Sequence, residues 1–200
     1  LIVGQDLGSV RGYACNVWDA PGGVTTYTDL SEKANGGPML VGLRALANYG
    51  AGDLHAAAAL TTYPGSALSI GLYLVDHTGS NLDHLADGAH DAAIDDLGAF
   101  IKDARRPVFL RIGYEFDGEW NHYEPEPYKR AFRHIVTRLR AHGVDEFASV
   151  WQSATYAQGT YRGLPMDRWY PGDDVLDWAG SSYFKYSAPA HAKLLAFARQ

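Results

Sequence analysis

Cysteine is almost absent from this sequence. Cys15 stands alone, so the chain can close no internal disulfide and build no thiolate zinc cluster. Beside Ala14 it reads as a small buried hydrophobe. Long apolar runs are missing as well. None approaches the roughly 20 residues that a membrane-spanning helix needs, so no membrane partner is expected. Positive charge is in deficit: 17 Lys and Arg against 23 Asp and Glu leave a net charge of -6. That balance gives no electrostatic footprint for nucleic acid. The chain opens on Leu1 rather than a start methionine and shows no signal peptide. It reads as a trimmed or mature segment of a secreted, extracellular protein.

Familiar catalytic signatures are missing too. The glycines of GQDLGSVRG, at 4, 8 and 12, do not fit GxGxxG, and there is no P-loop. The eight histidines include no HExxH, and no GxSxG is present. His84, Asp87 and Asp91 read as a solvated helix face. No metal and no cofactor are expected.

What is present is an apolar content of 46%, enough for one substantial core, and residues 1–200 read as a single domain. Thirteen Tyr, five Trp and seven Phe suit either a large core or walls that stack flat, hydroxylated ligands. Near-continuous apolar runs read as parallel strands covered on both faces: LIVGQDL (1–7), ALSIGLYLVD (67–76), PVFLRIGYEF (107–116), FASVWQSA (147–154) and DWAGSSYF (177–184). Between them, Leu82, Leu85, Ala89, Ala93, Leu97 and Phe100 mark a helix over 81–104, with a capping box at Ser80 and Asp83. Tyr128, Ala131, Phe132, Ile135 and Leu139 mark another over 127–142, stopped by Gly143. A third runs from about 189. The Gly- and Pro-rich region 8–66 reads as long loops with helices near 40–48 and 53–62. No hairpin signals appear, so the class is α/β.

Every apolar run ends in polar residues: Gln5 and Asp6, Asp76, Glu115 and Asp117, Gln152 and Ser153, Ser181 to Tyr183. Polar groups gathered at carboxyl strand ends are the mark of a (β/α)8 TIM barrel, of which about the first six β/α units are present. With other chemistries excluded, carboxylates remain. Glycoside hydrolysis uses two, one to protonate the leaving oxygen and one to attack the sugar or activate water. Strand alternation puts Arg111, Gly113 and Glu115 on one face, with Glu115 at the mouth as the acid and Arg111 below it. Arg111 either orients neighbouring acids or forms a strand-capping pair with Glu115. Trp120, Trp151 and Tyr183 are candidate sugar-stacking walls or core. Asp117 and Asn121 either bond sugar hydroxyls or shape the turn. Asp6 and Asp76 sit at strand ends facing the cleft.

RIGYEFDGEWNHY resembles the fourth-strand region of glycoside hydrolase family 26, the β-mannanases and their relatives. That family carries an arginine four residues before its acid/base glutamate and a tryptophan five after it, and Arg111, Glu115 and Trp120 match. VWQSA resembles the fifth strand, VLDWAGSSYF the sixth with its substrate-side tyrosine, here Tyr183, and GQDL the first. The resemblance covers most of the chain in order, and its specific motifs lie in 107–123 and 169–184. Two positions depart from the mannanases: Tyr114 replaces a histidine, and Ser181 and Ser182 stand where an acid is usual. The resemblance implies a retaining endo-β-glycanase of the β-mannanase type, acting on a polysaccharide or oligosaccharide. Glu115 would be general acid and then base, and Tyr114 would be among the substrate-binding residues. Mannan specificity is not implied. The family's nucleophile ends strand seven, whereas HAKLLAFARQ reads as the helix before it, so the partner of Glu115 is expected beyond Gln200. A barrel open at that point is expected to be poorly stable or to self-associate by itself. The alternative reading is a non-catalytic carbohydrate-binding barrel.

Overall fold

The computed structural model describes residues 1–31, 37–76, 81–154 and 161–183, with isolated positions near the C-terminus. The strands are β1 (Ile2–Val3), β2 (Gly23–Asp29), β3 (Ala47–Asn48), β4 (Asp53–Leu54), β5 (Ala67–Tyr73), β6 (Val108–Ile112), β7 (Phe147–Ser153) and β8 (Trp178–Ser181). The helices are α1 (Leu7–Val17), α2 (Ala56–Thr62), α3 (Asn81–Ala86), α4 (Asp91–Ala104) and α5 (Pro125–Ala141).

Six strands form one sheet in the order β1-β2-β5-β6-β7-β8. Every neighbouring pair in it is parallel. A sheet whose strands follow chain order without reversal winds in one direction, as in a (β/α)8 barrel; a doubly wound sheet would reverse at a switch point. The fold is therefore a partial (β/α)8 barrel.

Period-two alternation builds its two faces. In β5, Leu68, Ile70 and Leu72 are fully buried in the core beneath the helices, which leaves Ser69, Gly71 and Tyr73 on the opposite face. Helix α5 covers the core with Tyr128, Ala131, Phe132, Ile135 and Leu139, the stripe that 3.6-residue periodicity predicts. Its polar side is tied down by charge. Arg138 reaches Asp91 and Asp95 of α4, and Arg133 grips Asp174 through two 2.7 Å bonds. That grip gives the WYPGDD loop a structural role.

Several expectations are corrected. Strand β2 was not anticipated, although its Val-Thr-Thr-Tyr-Thr core is β-branched and aromatic; the glycines around it hid it. Residues 7–17 form a helix rather than a loop. The expected helix at 40–48 is a set of turns leading into β3, which pairs antiparallel with β4. The helix expected over 81–104 is two helices, broken around Gly88 with φ 84°, and this break separates His84 and Asp87 from Asp91. Cys15 is exposed, not buried. Ser80 and the helix expected from 189 lie outside the described residues.

Candidate active site

Glu115 owes its position to a turn rather than to the strand. Strand β6 ends at Ile112, and the next residues twist: Gly113 has φ 55° and Glu115 φ 54°. A side chain at 113 would meet the Tyr128 ring at 2.5 Å, so only glycine fits. Glu115 itself is held in the left-handed region, which is costly for a non-glycine residue unless its surroundings enforce it. Here they do. The buried Asn121 amide donates to the carbonyls of Tyr114 (3.0 Å) and Glu115 (2.9 Å). The Phe116 amide donates to the Gln152 carbonyl at 3.2 Å. The Phe116 ring stacks on Trp151, 4.3 Å apart and 9° from parallel. With residue 116 anchored in the core, residue 115 turns to the mouth.

The Glu115 carboxylate has a partner on each oxygen. Oε1 accepts from the Ser182 hydroxyl at 2.6 Å, and Oε2 accepts from Trp120 Nε1 at 3.2 Å. Ser182 in turn accepts from Gln152 Nε2 at 2.9 Å, and Gln152 Oε1 accepts from Arg111 Nη1 at 3.1 Å. Arg111 thus bonds Gln152 and does not form the strand-capping pair with Glu115, which was one of its two readings. Its guanidinium lies 4.9 Å from the ring centre of Tyr27 and 5.7 Å from that of Tyr114. Tyr27 and Tyr114 meet edge to face at 5.2 Å, and Tyr73 packs 6.3 Å from Tyr114. Burial pushes the Tyr114 hydroxyl well up, so it stays a neutral phenol.

The other expected site residues divide. Trp120 is 46% exposed beside Glu115 and Tyr183 is 62% exposed, and both can meet a ligand. Trp151 cannot, because it is fully buried and packs between Phe116 and Tyr170. Alternation in β7 sends it to the helix side, while Gln152 takes the face shared with Arg111. Asp117 is 3% exposed. Its carboxylate accepts from the Ser153 hydroxyl (2.6 Å) and the Ala154 amide (2.7 Å), so it stitches the turn to the end of β7 instead of reaching a sugar. Burial holds its carboxyl above the usual range against those bonds. Asn121 shapes the turn. Asp6 caps α1, accepting from the Ser9 amide at 3.0 Å and hydroxyl at 2.7 Å, which lowers its carboxyl below the usual range. Asp76 is half-buried three residues beyond β5 and helps raise the Tyr73 hydroxyl, an effect led by burial.

Gln152, Ser182, Tyr27 and Tyr73 also belong to the site but were not picked out as site residues. A signal was present for Gln152, next to last in β7, and Ser182, just past β8, since both lie in the polar strand ends. Asp29, at the end of β2, is buried and accepts from the Tyr49 hydroxyl at 2.8 Å. Among the described residues no three His, Cys, Asp or Glu side chains gather as a metal ion would require. No described helix is long and apolar enough to cross a membrane.

Fold and site together define a partial (β/α)8 barrel with a carboxylate, aromatics and a polar chain at the carboxyl ends of its strands. Comparison with known proteins gives the family. The model for glycosyl hydrolase family 26 matches residues 69–196, and the chain belongs to that family. It is 38% identical to a β-1,3-xylanase from a Vibrio species over 183 residues, 91% of this chain and 37% of that protein. It is 37% identical to a β-1,3-xylanase from an Alcaligenes species, again over 91% of this chain and over 36% of that protein. The chain thus spans little more than a third of the length of these relatives. Among solved structures, a family 26 β-mannanase from Bacteroides ovatus superposes with a TM-score of 0.57 at 20% identity, over 88% of this chain and 56% of that one. The family 26 domain of a Prevotella bryantii endo-β-mannanase/endo-β-glucanase gives 0.58 at 15% identity, over 90% and 65%. At such identities these structures speak to the fold alone.

Proposed function

We propose that the protein of which this chain is part hydrolyses a β-linked polysaccharide with retention of configuration, and that residues 1–200 belong to one catalytic barrel domain. Glu115 is the general acid and then the general base. The observation that carries this reading is the Glu115 turn: a half-buried carboxylate on an enforced left-handed residue, at the carboxyl face of the sheet, beside an exposed tryptophan. A protonated carboxyl there meets the glycosidic oxygen while the sugar stacks on Trp120. Tyr114 and Tyr183 are further substrate-side groups.

A retaining mechanism also needs a nucleophilic carboxylate about 5 Å from Glu115. Asp117 does not serve, since both its oxygens are committed inside the core. Two relatives near 38% identity are β-1,3-xylanases, so β-1,3-xylan is the first substrate to test, ahead of mannan and mixed-linkage glucan. A polysaccharide substrate is consistent with a protein that acts outside the cell.

In the full-length protein, Glu115→Gln should lower hydrolysis of β-1,3-xylan by about 10²- to 10⁴-fold, the usual worth of general acid–base catalysis. Binding of xylo-oligosaccharide should survive. Undiminished turnover would overturn the assignment.

A further inference from the structure

We propose that Gln152 and Ser182 are positioning residues for Glu115. With Arg111 they form a one-way hydrogen-bond relay that fixes Oε2, not Oε1, as the oxygen that carries the catalytic proton. The proposal rests on reading Glu115 as the general acid.

The direction of the relay follows from its first member. A guanidinium has donors and no acceptor. The Gln152 group facing Arg111 Nη1 at 3.1 Å is therefore the carbonyl oxygen, and the amide –NH₂ must face Ser182, 2.9 Å away. Turning the amide over would set –NH₂ against the guanidinium. The Ser182 oxygen thus receives a hydrogen from Gln152. Its own single hydrogen points to Glu115 Oε1 at 2.6 Å, within the short range of hydroxyl–carboxylate bonds. Arg111 is itself immobilised between Tyr27 and Tyr114. Each link donates toward the carboxylate, and none can reverse without breaking the link before it.

Both carboxyl oxygens receive a hydrogen. The bond from Ser182 to Oε1 is short at 2.6 Å, and the bond from Trp120 Nε1 to Oε2 is long at 3.2 Å. The oxygen that receives the stronger bond is the poorer place for a proton. The carboxyl proton therefore sits on Oε2, the oxygen beside the exposed Trp120. In the first step a nucleophilic carboxylate attacks the anomeric carbon. The bond from that carbon to the glycosidic oxygen breaks, its electron pair stays on the oxygen, and the oxygen takes the proton from Oε2. The negative charge left on Glu115 strengthens the bond from Ser182, so the relay favours the state formed during bond cleavage over the state before it. In the second step water attacks the anomeric carbon, the bond from that carbon to the nucleophilic carboxylate breaks with its electron pair staying on the carboxylate, and the water's proton goes to Oε2.

The test uses the full-length protein and two substrates. One is β-1,3-xylan, whose leaving group needs the proton. The other is a dinitrophenyl xylo-oligosaccharide, whose first step does not. Ser182→Ala should lower kcat on β-1,3-xylan by about 10- to 100-fold, the range for a lost hydrogen bond to a charged group, with KM nearly unchanged. The burst rate on the dinitrophenyl substrate should fall far less. Ser182→Thr, which keeps the hydroxyl, should restore most of the activity. Gln152→Leu combined with Ser182→Ala should be no slower than Ser182→Ala alone, because both act through one bond.

Equal losses on the two substrates, or losses that multiply in the double variant, would overturn the relay. So would a wild-type kcat on xylan for Ser182→Ala. Glu115→Gln measured alongside separates the levels: if it retains full activity the acid assignment falls, and if it is inactive while Ser182→Ala is not, only the relay falls.

Discussion

Gly71→Ala tests whether the Arg111 stack is as tight as its geometry requires. Gly71 sits mid-strand in β5, paired with Tyr27 on one side and Arg111 on the other. A Cβ there would lie 2.5 and 2.7 Å from two Tyr27 ring carbons and 2.9 Å from Arg111 Nη2. Real Cβ atoms do not approach so closely, so something must move. Tyr27 is pinned by Tyr114 at 5.2 Å, and Arg111 by the two rings and Gln152. Two effects oppose. Alanine stiffens the unfolded chain, a gain of about 0.4–1 kcal/mol where the backbone suits it. Overpacking a filled site costs about 1–3 kcal/mol, and with rigid neighbours on both sides the upper part of that range applies. The net loss should be about 1–2 kcal/mol. It would be read as a lower urea midpoint at constant slope, followed by tryptophan fluorescence. If Arg111 moves by about 1 Å, its bond to Gln152 passes beyond useful length and kcat on β-1,3-xylan falls while KM holds. An alanine variant as stable and as active as the parent would refute the packing. A less stable variant with full kcat would keep the packing and refute its coupling to Glu115.

Two more perturbations separate structure from site. Trp151→Ala should destabilise by about 3–5 kcal/mol, as for other buried tryptophans, whereas Trp120→Ala should move the unfolding midpoint little and lower turnover or raise KM instead; equal losses of stability would mean the two faces of the sheet are misassigned. Asp117 carries a pH signature. Its carboxyl is raised by burial, so the folded state holds that proton more tightly than the unfolded one. Its contribution to stability is then full below the unfolded value near 3.9 and declines as pH rises through the higher native value. Urea midpoints of the parent and Asp117→Asn, compared across this window, should diverge in the parent's disfavour as pH rises, and parallel curves would contradict the burial argument.

The fold was legible where periodicity was long and unbroken. Helix α5 and strands β5, β6 and β7 follow directly from apolar spacing. Strand β2 did not, because Gly22 and Gly23 and the glycine- and proline-rich segments around it mask a seven-residue run whose own Val, Thr and Tyr are good strand formers. Gly8 and Gly12 hid α1, whose apolar stripe is weak and whose only buried residue is Val10. Within the site, alternation and the family resemblance singled out Glu115, Arg111 and Trp120, but the link between them was not legible. Alternation was extended to residue 115, whereas the strand stops at Ile112. Period two fails once two residues take positive φ, and nothing local announces that Glu115 will be one of them. Asn121, which holds that turn, read equally as a sugar ligand or a turn-shaping residue, because a polar side chain near a site and a polar side chain building it are identical in sequence. Trp151 shows the converse. The strand was right, yet which of two adjacent residues faces the barrel depends on register, and register is set by pairing with β6 and β8.

The serines at the end of β8 also change meaning once the relay is seen. In sequence they read as a loss, since related mannanases usually carry an acid in that region. In the structure a hydroxyl at 182 does what a carboxylate there could not. It receives one hydrogen from Gln152 and passes one to Glu115, carrying direction from Arg111 to the mouth. A carboxylate only accepts, so it would end the relay at Gln152 and set a like charge against Glu115, where the two would compete for one proton. Gln152 is subject to the same logic, because a glutamate in its place would accept from both Arg111 and Ser182 and draw the serine's hydrogen away from Glu115. A neutral amide followed by a neutral hydroxyl links the half-buried Arg111 to the half-buried Glu115 without adding charge beside either. On this reasoning Gln152 and Ser182 are a matched pair, and a change at either alone should remove most of what both provide.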